Sequence, residues 1–596
     1  MESIRNIAII AHVDHGKTTL VDSLLKQSET DIGKAGQGEM IMDSNELERE
    51  RGITIFSKNA SVVHKGVKIN IIDTPGHADF GGEVERVLNM ADGALLLIDA
   101  QEGTMPQTRF VLKNALLNGL KIIVVINKID KPNARINYVI EKVIELFMEL
   151  GANNEQLNFP IIYASGKLGK AGHEPDLNAM KDIQPLFEKI IEYIPAPVSN
   201  VNDPLQMMIV SISYDNYKGK IGIGRIHNGV IKNGEQIARI THEGKTTTHK
   251  ITSLMEFSGL GKAEVAELKA GDIAVVAGIE GINIGDTIAS AENPVALPSI
   301  KIEKPTVKMI FSTNNSPFAG QEGKYCTSRN LKERLEKEID NDVALRVEPG
   351  KSSDEFIVSG RGELHLGILI EKMRREGYEL QASRPEVVMV EENGKTMEPA
   401  EDVWIEAPEQ YSGAIIQKMS IRKGELKNMS VENGTVSFHF FIPTRGLIGF
   451  RNELMLETKG FGIINSLFAG YFPKFGEFEN NPHGSLIVSE TGATTAYALL
   501  MAQERGVMFV GPGVNVYEGQ VVGQNAKAND LVLNVCRQKQ LTNFRAKTDA
   551  VTDDLIPPRE MTLEQCLEYI GDDELVEVTP KSIRIRKRIL KNNLRK

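Results

Sequence analysis

Lys17, Thr18, Asp73 and Asp130 are side chains whose type and spacing point to phosphate, metal and purine chemistry. Lys17 and Thr18 lie in AHVDHGKTT (Ala11–Thr19), Asp73 opens DTPGH (Asp73–His77) and Asp130 closes NKID (Asn127–Asp130). RGITI (Arg51–Ile55) falls between the first two strings. A phosphate-binding loop asks for Gly, four residues and Gly-Lys-Ser/Thr, and Ala11 stands where the first Gly belongs. The flanks supply the missing context. The run IAII before the loop reads as a buried strand, and TTLVDSLLK after it sets Leu20, Val21 and Leu24 on one helical face. Strand, loop and helix aim backbone N–H groups at an anion from a helix N-terminus, where the dipole also favours negative charge.

Each side chain then has a task. Asp14, His15, Gly16, Lys17, Thr18 and Thr19 are the expected phosphate contacts, with Lys17 reaching the β- and γ-phosphates and the Thr18 hydroxyl on Mg²⁺. Asp73 ends the run VKINII, so it sits at a strand's C-terminal edge, where a carboxylate holds Mg²⁺ through water. Asn127, Lys128, Ile129 and Asp130 follow the strand KIIVVI at the next such edge. A carboxylate there accepts both N1–H and the 2-amino group of guanine, and adenine offers neither. NKID alone reads equally well as a polar turn. In register behind a phosphate loop and DTPG, it makes GTP the expected substrate and Mg²⁺ the cofactor.

AHVDHGKTT, RGITI and DTPGH together resemble the translational GTPases, the group of elongation factors Tu and G, in which alanine at the position of Ala11 is tolerated. The resemblance implies that Thr54 reaches Mg²⁺ only in the GTP state and that Gly76 donates its N–H to the γ-phosphate. It puts His77 where small GTPases carry a water-orienting glutamine, with Val13 and Ile53 as the apolar pair lining its approach. The catalytic set is then His77, Lys17, Thr54 and Gly76, and the metal set Thr18, Thr54 and Asp73. Asp14 matches a residue associated with a monovalent cation. Ser165-Gly166-Lys167, after the strand PIIYA, resembles the Ser-Ala-Lys/Leu element that backs guanine, with Gly166 in place of alanine. Without the resemblance, His77 reads as a turn histidine after Pro-Gly.

At 596 residues the chain is far beyond single-core size, and about 150 residues per domain suggests about four domains. Composition is that of an ordinary globular protein, 41% hydrophobic and 25% charged. Cys326, Cys536 and Cys566 lie far apart without metal-ligand spacing, which reads as buried thiols in a reducing compartment. The first strand follows the N-terminus closely and no apolar run reaches membrane-span length, so a cytoplasmic protein is expected, with no membrane partner.

Residues 1–199 alternate strands and amphipathic helices, the pattern of a mostly parallel sheet. Between the first helix and RGITI, the stretch Glu29–Glu50 is polar and Gly-rich and reads as a switch loop. Residues 200–300 show short strands punctuated by KGK, HNG, KNGE and KAGD, the spacing of a small closed β-barrel. Residues 301–384 and 385–480 each read β-α-β-β-α-β, a ferredoxin-like unit, and both open the second helix with Arg-Gly (Arg361-Gly362, Arg445-Gly446). SGRGELHLGIL resembles the third domain of elongation factor G and the following unit its fifth, with nothing like the fourth between them. Residues 481–596 hold short strands and much glycine. The expected fold is therefore a multidomain α/β chain: P-loop GTPase domain, β-barrel, two ferredoxin-like α+β domains and a mostly β C-terminal domain.

PTRGLIGFRNE (Pro443–Glu453), the missing fourth domain and the C-terminal domain resemble the BipA/TypA ribosome-associated GTPases. That resemblance implies a monomer stimulated by the ribosome through rRNA of both subunits and the stalk region, with tRNA nearby, acting in large-subunit assembly and under cold or other stress. A LepA-type back-translocation factor shares length and domains, but PTRGLIGFR argues against it. A GTP-sensing RNA binder without catalysis is the other alternative, opposed by the intact Lys17, Thr54 and His77. Net charge is −11, yet KSIRIRKRILKNNLRK at the C-terminus holds eight Lys or Arg and no acid. Gln524–Lys547 adds Lys527, Arg537, Lys539, Arg545 and Lys547 against Asp530 alone. Local basic surface on an acidic body suits phosphate contacts. Lys539, Phe544, Arg545 and Lys547 are the expected RNA contacts, with Phe544 stacking on an unpaired base; a core phenylalanine at a strand end is the competing reading.

Overall fold

Strands that read as continuous apolar runs must bury both faces, and that requirement organises the N-terminal half. The computed structural model describes residues 3–12, 14–30, 50, 57–75, 81–215, 217–241, 243–298, 305–342, 344–392, 394–432, 434–476, 484–538 and 555–595. They form two compact units, Met1–Glu303 and Lys304–Lys596. The first module runs β1 (Ser3–Ala11), α1 (Lys17–Gln27), β2 (Lys58–His64), β3 (Val67–Asp73), α2 (Gly81–Leu88), β4 (Gly93–Asp99), α3 (Pro106–Leu117), β5 (Lys121–Asn127), α4 (Ile136–Glu149), α5 (Asn154–Leu157), β6 (Ile161–Ser165), β7 (Lys170–Gly172) and α6 (Gln184–Tyr193). The sheet order is β2-β3-β1-β4-β5-β6-β7, parallel except at its two edge strands. Ile7 and Ile9 of β1 pack with Leu20, Val21 and Leu24 of α1 and with Phe187 and Ile190 of α6. Ala8 and Ile10 face the other way, toward α2, α3 and α4.

Ten strands between Gln206 and Ser290 build the barrel, eight of them in one antiparallel sheet. Val230–Lys232 pairs with Glu267–Lys269, and both contribute to the barrel's own core through Ile231 and Leu268. A second set of barrel residues, among them Met208, Ile223, Phe257 and Val275, packs into the same core as β4 and β5. A polar seam runs beside this apolar contact. Asn6 of β1 and Asn70 of β3 are register partners, and the Asn70 amide donates to Asn6 Oδ1 at 2.9 Å and Asp272 Oδ1 at 3.0 Å. Lys68 meets Asp272 at 2.7 Å and Glu256 at 2.6 Å, while Arg225 meets Asp92 at 2.8 Å. Burial works against the Lys68 ammonium, but Asp272 and Glu256 outweigh it and hold its pKa above the ordinary lysine value. Burial has the upper hand at Asp92 and raises its carboxyl in spite of Arg225. Barrel and nucleotide module are thus joined by shared core and by buried charge.

In the second unit, the strands Val307–Thr313, Arg346–Pro349, Glu355–Gly360 and Leu380–Ala382, with helices Ser328–Asn341 and Glu363–Arg375, form the first ferredoxin-like unit in strand order 2-3-1-4. Its last strand is not an edge. Leu380–Ala382 pairs antiparallel with Glu574–Val578, and the sheet continues through Ile583–Lys587, Gln520–Asn525, Ser485–Val488 and Leu531–Leu533 into an 11-stranded whole. Leu331, Leu366 and Ile370 share one core with Leu563, Leu567, Val576 and Ile585. The second unit repeats the order with Lys395–Pro408, Glu425–Glu432, Thr435–Pro443 and Ile463–Pro473.

Three expectations need correction. The second helix opened by Arg445-Gly446 is divided: Thr444–Leu447 stops, Gly449 takes a left-handed φ of 75°, and a new helix starts at Phe450. Of the three thiols only Cys566 is buried, which pushes its pKa up to about 12; Cys326 and Cys536 are half-buried. The basic C-terminal run is in part internal. Arg584 pairs with Glu322 and Glu577 at 2.8 and 2.9 Å, Arg586 is buried against Asn315, and buried Lys587 meets Asp573 at 2.8 Å and Glu574 at 3.0 Å. These cations serve the fold, because the strand carrying them is central to the sheet. Only Lys581, Arg588 and Lys591 of the described basic residues in this run are exposed.

Candidate nucleotide site

Ala11, Asp73, Asp99, Asn127 and Ser165 end β1, β3, β4, β5 and β6 at one edge of the sheet, where open α/β folds bind ligands. The loop into α1 turns through Asp14 at φ 65° and Gly16 at φ 88°. Gly16 is required there: a Cβ would lie 2.6 Å from Asn127 Nδ2, and the left-handed backbone is already costly for other residues. No side chain caps α1 and its first turn holds no acid, so its leading N–H groups are left for an incoming anion. Lys17 is buried with its ammonium 3.1 Å from Asp73 Oδ1, and it donates to the Thr74 carbonyl. The Thr74 hydroxyl in turn donates to the Ile9 carbonyl at 2.8 Å, tying the end of β3 to β1.

Asn127 joins three loops. Its Nδ2 donates to the His15 carbonyl at 2.9 Å and its Oδ1 accepts from the Gly166 N–H at 2.9 Å. The Ser23 hydroxyl of α1 donates to the Gly166 carbonyl at 2.7 Å, and Gln27 Nε2 to the Gly169 carbonyl at 2.8 Å. A Cβ on Gly166 would sit 3.2 Å from the Leu20 backbone N, so the glycine matches the close approach of this loop to α1. Lys128 crosses to donate to the Asp14 carbonyl and pairs with Asp99 at 2.7 Å. His15 is buried, with Nδ1 3.2 Å from the Leu97 carbonyl and Nε2 3.5 Å from Glu102. Ile129 and Ser165 are buried, Thr18 is half-buried, and Thr19, Asp130 and Lys167 are exposed at the rim.

Ser23, Gln27, Asp99 and Glu102 were not singled out by motif reading. Asp99 had a signal: it ends the apolar run GALLLID at the same strand edge as Asp73 and Asn127. Val13, Ile53, Thr54, Gly76, His77, Lys539, Phe544, Arg545, Lys547 and most of the Glu29–Glu50 stretch lie outside the described residues.

Asp73 is a fully buried carboxylate that already faces a cation, the Lys17 ammonium, and Thr18 follows Lys17 in the same helical turn. Among the described residues no three His, Cys, Asp or Glu gather as a metal cage. One carboxylate with one hydroxyl is the hard-oxygen set that fits Mg²⁺ shared with phosphate oxygens.

The chain is 51% identical over 98% of its length to the large ribosomal subunit assembly factor BipA of Synechocystis sp., and it covers 98% of that protein. It is 50% identical to the Bacillus subtilis and Salmonella typhimurium proteins of the same description, over 99% and 100% of this chain and 97% and 98% of theirs. This chain belongs to the BipA/TypA family of translational GTPases. Residues 2–196 match the elongation factor Tu GTP-binding domain and 219–289 elongation factor Tu domain 2. Residues 324–383 match elongation factor G domain III, 395–481 the elongation factor G C-terminus, and 483–592 the TypA/BipA C-terminal domain. A crystal structure of a Thermus thermophilus protein aligns over 80% of this chain and 98% of its own with a TM-score of 0.54 at 17% identity, a likeness of fold. The BipA/TypA architecture expected from the motifs is the one observed: GTPase domain, barrel, two ferredoxin-like units and a family-specific C-terminal domain.

Proposed function

We propose that this BipA/TypA protein is a ribosome-stimulated GTPase that binds the ribosome under control of its nucleotide and acts in large-subunit assembly. The carrying observation is Asn127, which ties the phosphate loop, NKID and the Ser165–Lys167 loop together at the sheet edge where Lys17 meets Asp73. The relatives named as large-subunit assembly factors support the ribosomal half of the reading. In this mechanism the α1 N-terminus and Lys17 bind the β- and γ-phosphates, and Thr18, Asp73 and Thr54 would hold Mg²⁺, which would supply positive charge against that developing on the phosphates. Asp130 accepts from guanine N1–H and the 2-amino group. His77 orients the attacking water, and Gly76 donates to the γ-phosphate. Hydrolysis would remove the γ-phosphate and with it the contact proposed for Thr54, changing affinity for the ribosome. The protein works as a cytoplasmic monomer.

Asp130→Asn tests the guanine assignment. An amide in place of the carboxylate is expected to weaken GTP binding and favour xanthine nucleotides, read by competition against labelled GDP. Unchanged GTP affinity in the variant overturns the role of NKID.

The RNA reading centres on residues 539–548. Deletion should begin after Gln538, because the Arg537 carbonyl accepts the Thr495 hydroxyl and the Cys536 N–H is held by Asn534 Oδ1. The deleted protein is expected to bind GTP normally and to lose both ribosome pelleting and stimulated hydrolysis. The parent's ribosome affinity should fall steeply with added salt, since phosphate contacts draw on counterion release. A deletion protein that still pellets with ribosomes at moderate salt overturns the assignment of Lys539, Phe544, Arg545 and Lys547.

A further inference from the structure

We propose that Asp99 is a positioning residue for nucleotide binding: its buried carboxylate holds the Lys128 ammonium over the phosphate loop. The inference rests on the guanine-nucleotide reading above and adds a residue that none of the sequence motifs contains. Asp99 is fully buried at the end of β4. Its Oδ2 lies 2.7 Å from Lys128 Nζ and 3.4 Å from Lys131 Nζ, and its Oδ1 accepts the Gln101 N–H at 2.7 Å. Burial alone would raise the Asp99 pKa, but Lys128, the Gln101 N–H and Lys131 prevail and hold it below the ordinary value. The carboxylate is therefore a permanent anion at neutral pH.

Lys128 needs such an anchor. Its backbone takes φ 61°, a left-handed conformation that residues with a Cβ adopt only when their surroundings impose it. Its ammonium ends a flexible stem with three donors. One donor goes to Asp99 and one to the Asp14 carbonyl, which leaves one for a nucleotide. The turn carrying Asp99 is itself built in. The Ala100 N–H donates to the Asn127 carbonyl at 2.8 Å, the Gly103 N–H returns to the Asp99 carbonyl at 2.9 Å, and Glu102 reaches His15. Residues 99–102 thus buttress the phosphate loop and NKID together, and Asp99 holds the flexible Lys128 cation between them.

The test uses the full chain and labelled GDP. Asp99→Asn keeps shape and removes the charge; it is expected to speed GDP release about tenfold and to raise KM for GTP by a similar factor. At saturating GTP on ribosomes, kcat should stay within about twofold. Asp99→Glu, which keeps the charge on a longer arm, should give intermediate release. In a Lys128→Met background, Asp99→Asn should add almost nothing, because the interaction it removes is already gone. A full additional effect in that background, or a loss of kcat matching the rise in KM, overturns the assignment. Should Asp99→Asn not fold, judged by its melting curve, Asp99→Glu in both backgrounds makes the same comparison. A parent that binds GDP beside an Asp99→Asn variant with unchanged release removes only the role of Asp99; a parent that binds no guanine nucleotide removes the underlying reading.

Discussion

Replacing His77 with alanine is expected to lower ribosome-stimulated GTP turnover by a factor of about 10² or more while leaving GTP affinity nearly intact. The separation follows from what each group touches. In the proposed site, affinity is assigned to Lys17, the α1 N-terminus and NKID, all on elements of the sheet edge. An imidazole that only orients water interacts in the transition state and contributes little to the bound ground state, so its loss appears in kcat. The frame leading to it is firm: Asp73 faces the Lys17 ammonium, and the Thr74 hydroxyl is tied to the Ile9 carbonyl. Single-turnover hydrolysis with and without ribosomes separates binding from chemistry. Equal stimulated rates in variant and parent would return His77 to the role of a turn residue.

Truncation after Pro580 is expected to unfold the C-terminal part of the second unit, an effect larger than any single substitution. The strand Ile583–Lys587 lies between Glu574–Val578 and Gln520–Asn525, so its removal cuts the 11-stranded sheet through the middle. Glu577, fully buried, would lose Arg584 and keep only the Tyr517 hydroxyl and Asn314. Glu574, buried on the same strand, would lose Lys587. Stranding one buried charge costs about 3–5 kcal/mol, and a domain is stable by only about 5–15 kcal/mol. Thermal melts should show loss of one transition, and hydrogen exchange should rise across 484–538 and 305–383, which shares the core. GDP binding by the first unit should persist. A truncated chain that melts like the parent would contradict this. Lost ribosome binding after such a truncation therefore reports on folding, whereas deletion of 539–548 addresses RNA contact.

The nucleotide edge was legible because every step to it is local. IAII, ALLLI and IIVVI are apolar without interruption since both faces of a parallel strand are covered, and the candidate site residues are among those that end or follow those runs. The domain series and the doubled β-α-β-β-α-β pattern were legible for the same reason, as periodicity and turn residues act over a few positions. The exception inside that pattern is Gly449, whose left-handed φ divides a segment that reads as one helix.

Asn6, Asn70 and Asp272, by contrast, look like ordinary polar residues in the chain, and they acquire a role only when the barrel is laid against β1 and β3. Asp99 reads as the last residue of an apolar run until Lys128 is brought to it from the next strand. The C-terminal tail is the sharpest case. Its alternation of Ile583 and Ile585 with Arg584 and Arg586 already matches a strand, but eight cations in a row of sixteen residues read more readily as solvent-facing charge. Arg584 finds Glu322 and Lys587 finds Asp530 only because distant strands become neighbours in one sheet. Backbone periodicity is governed by sterics between near neighbours and can be read along the chain. The fate of a charge depends on which opposite charge, or which water, occupies the few ångströms around it after folding, and that is set by contacts between residues far apart in sequence.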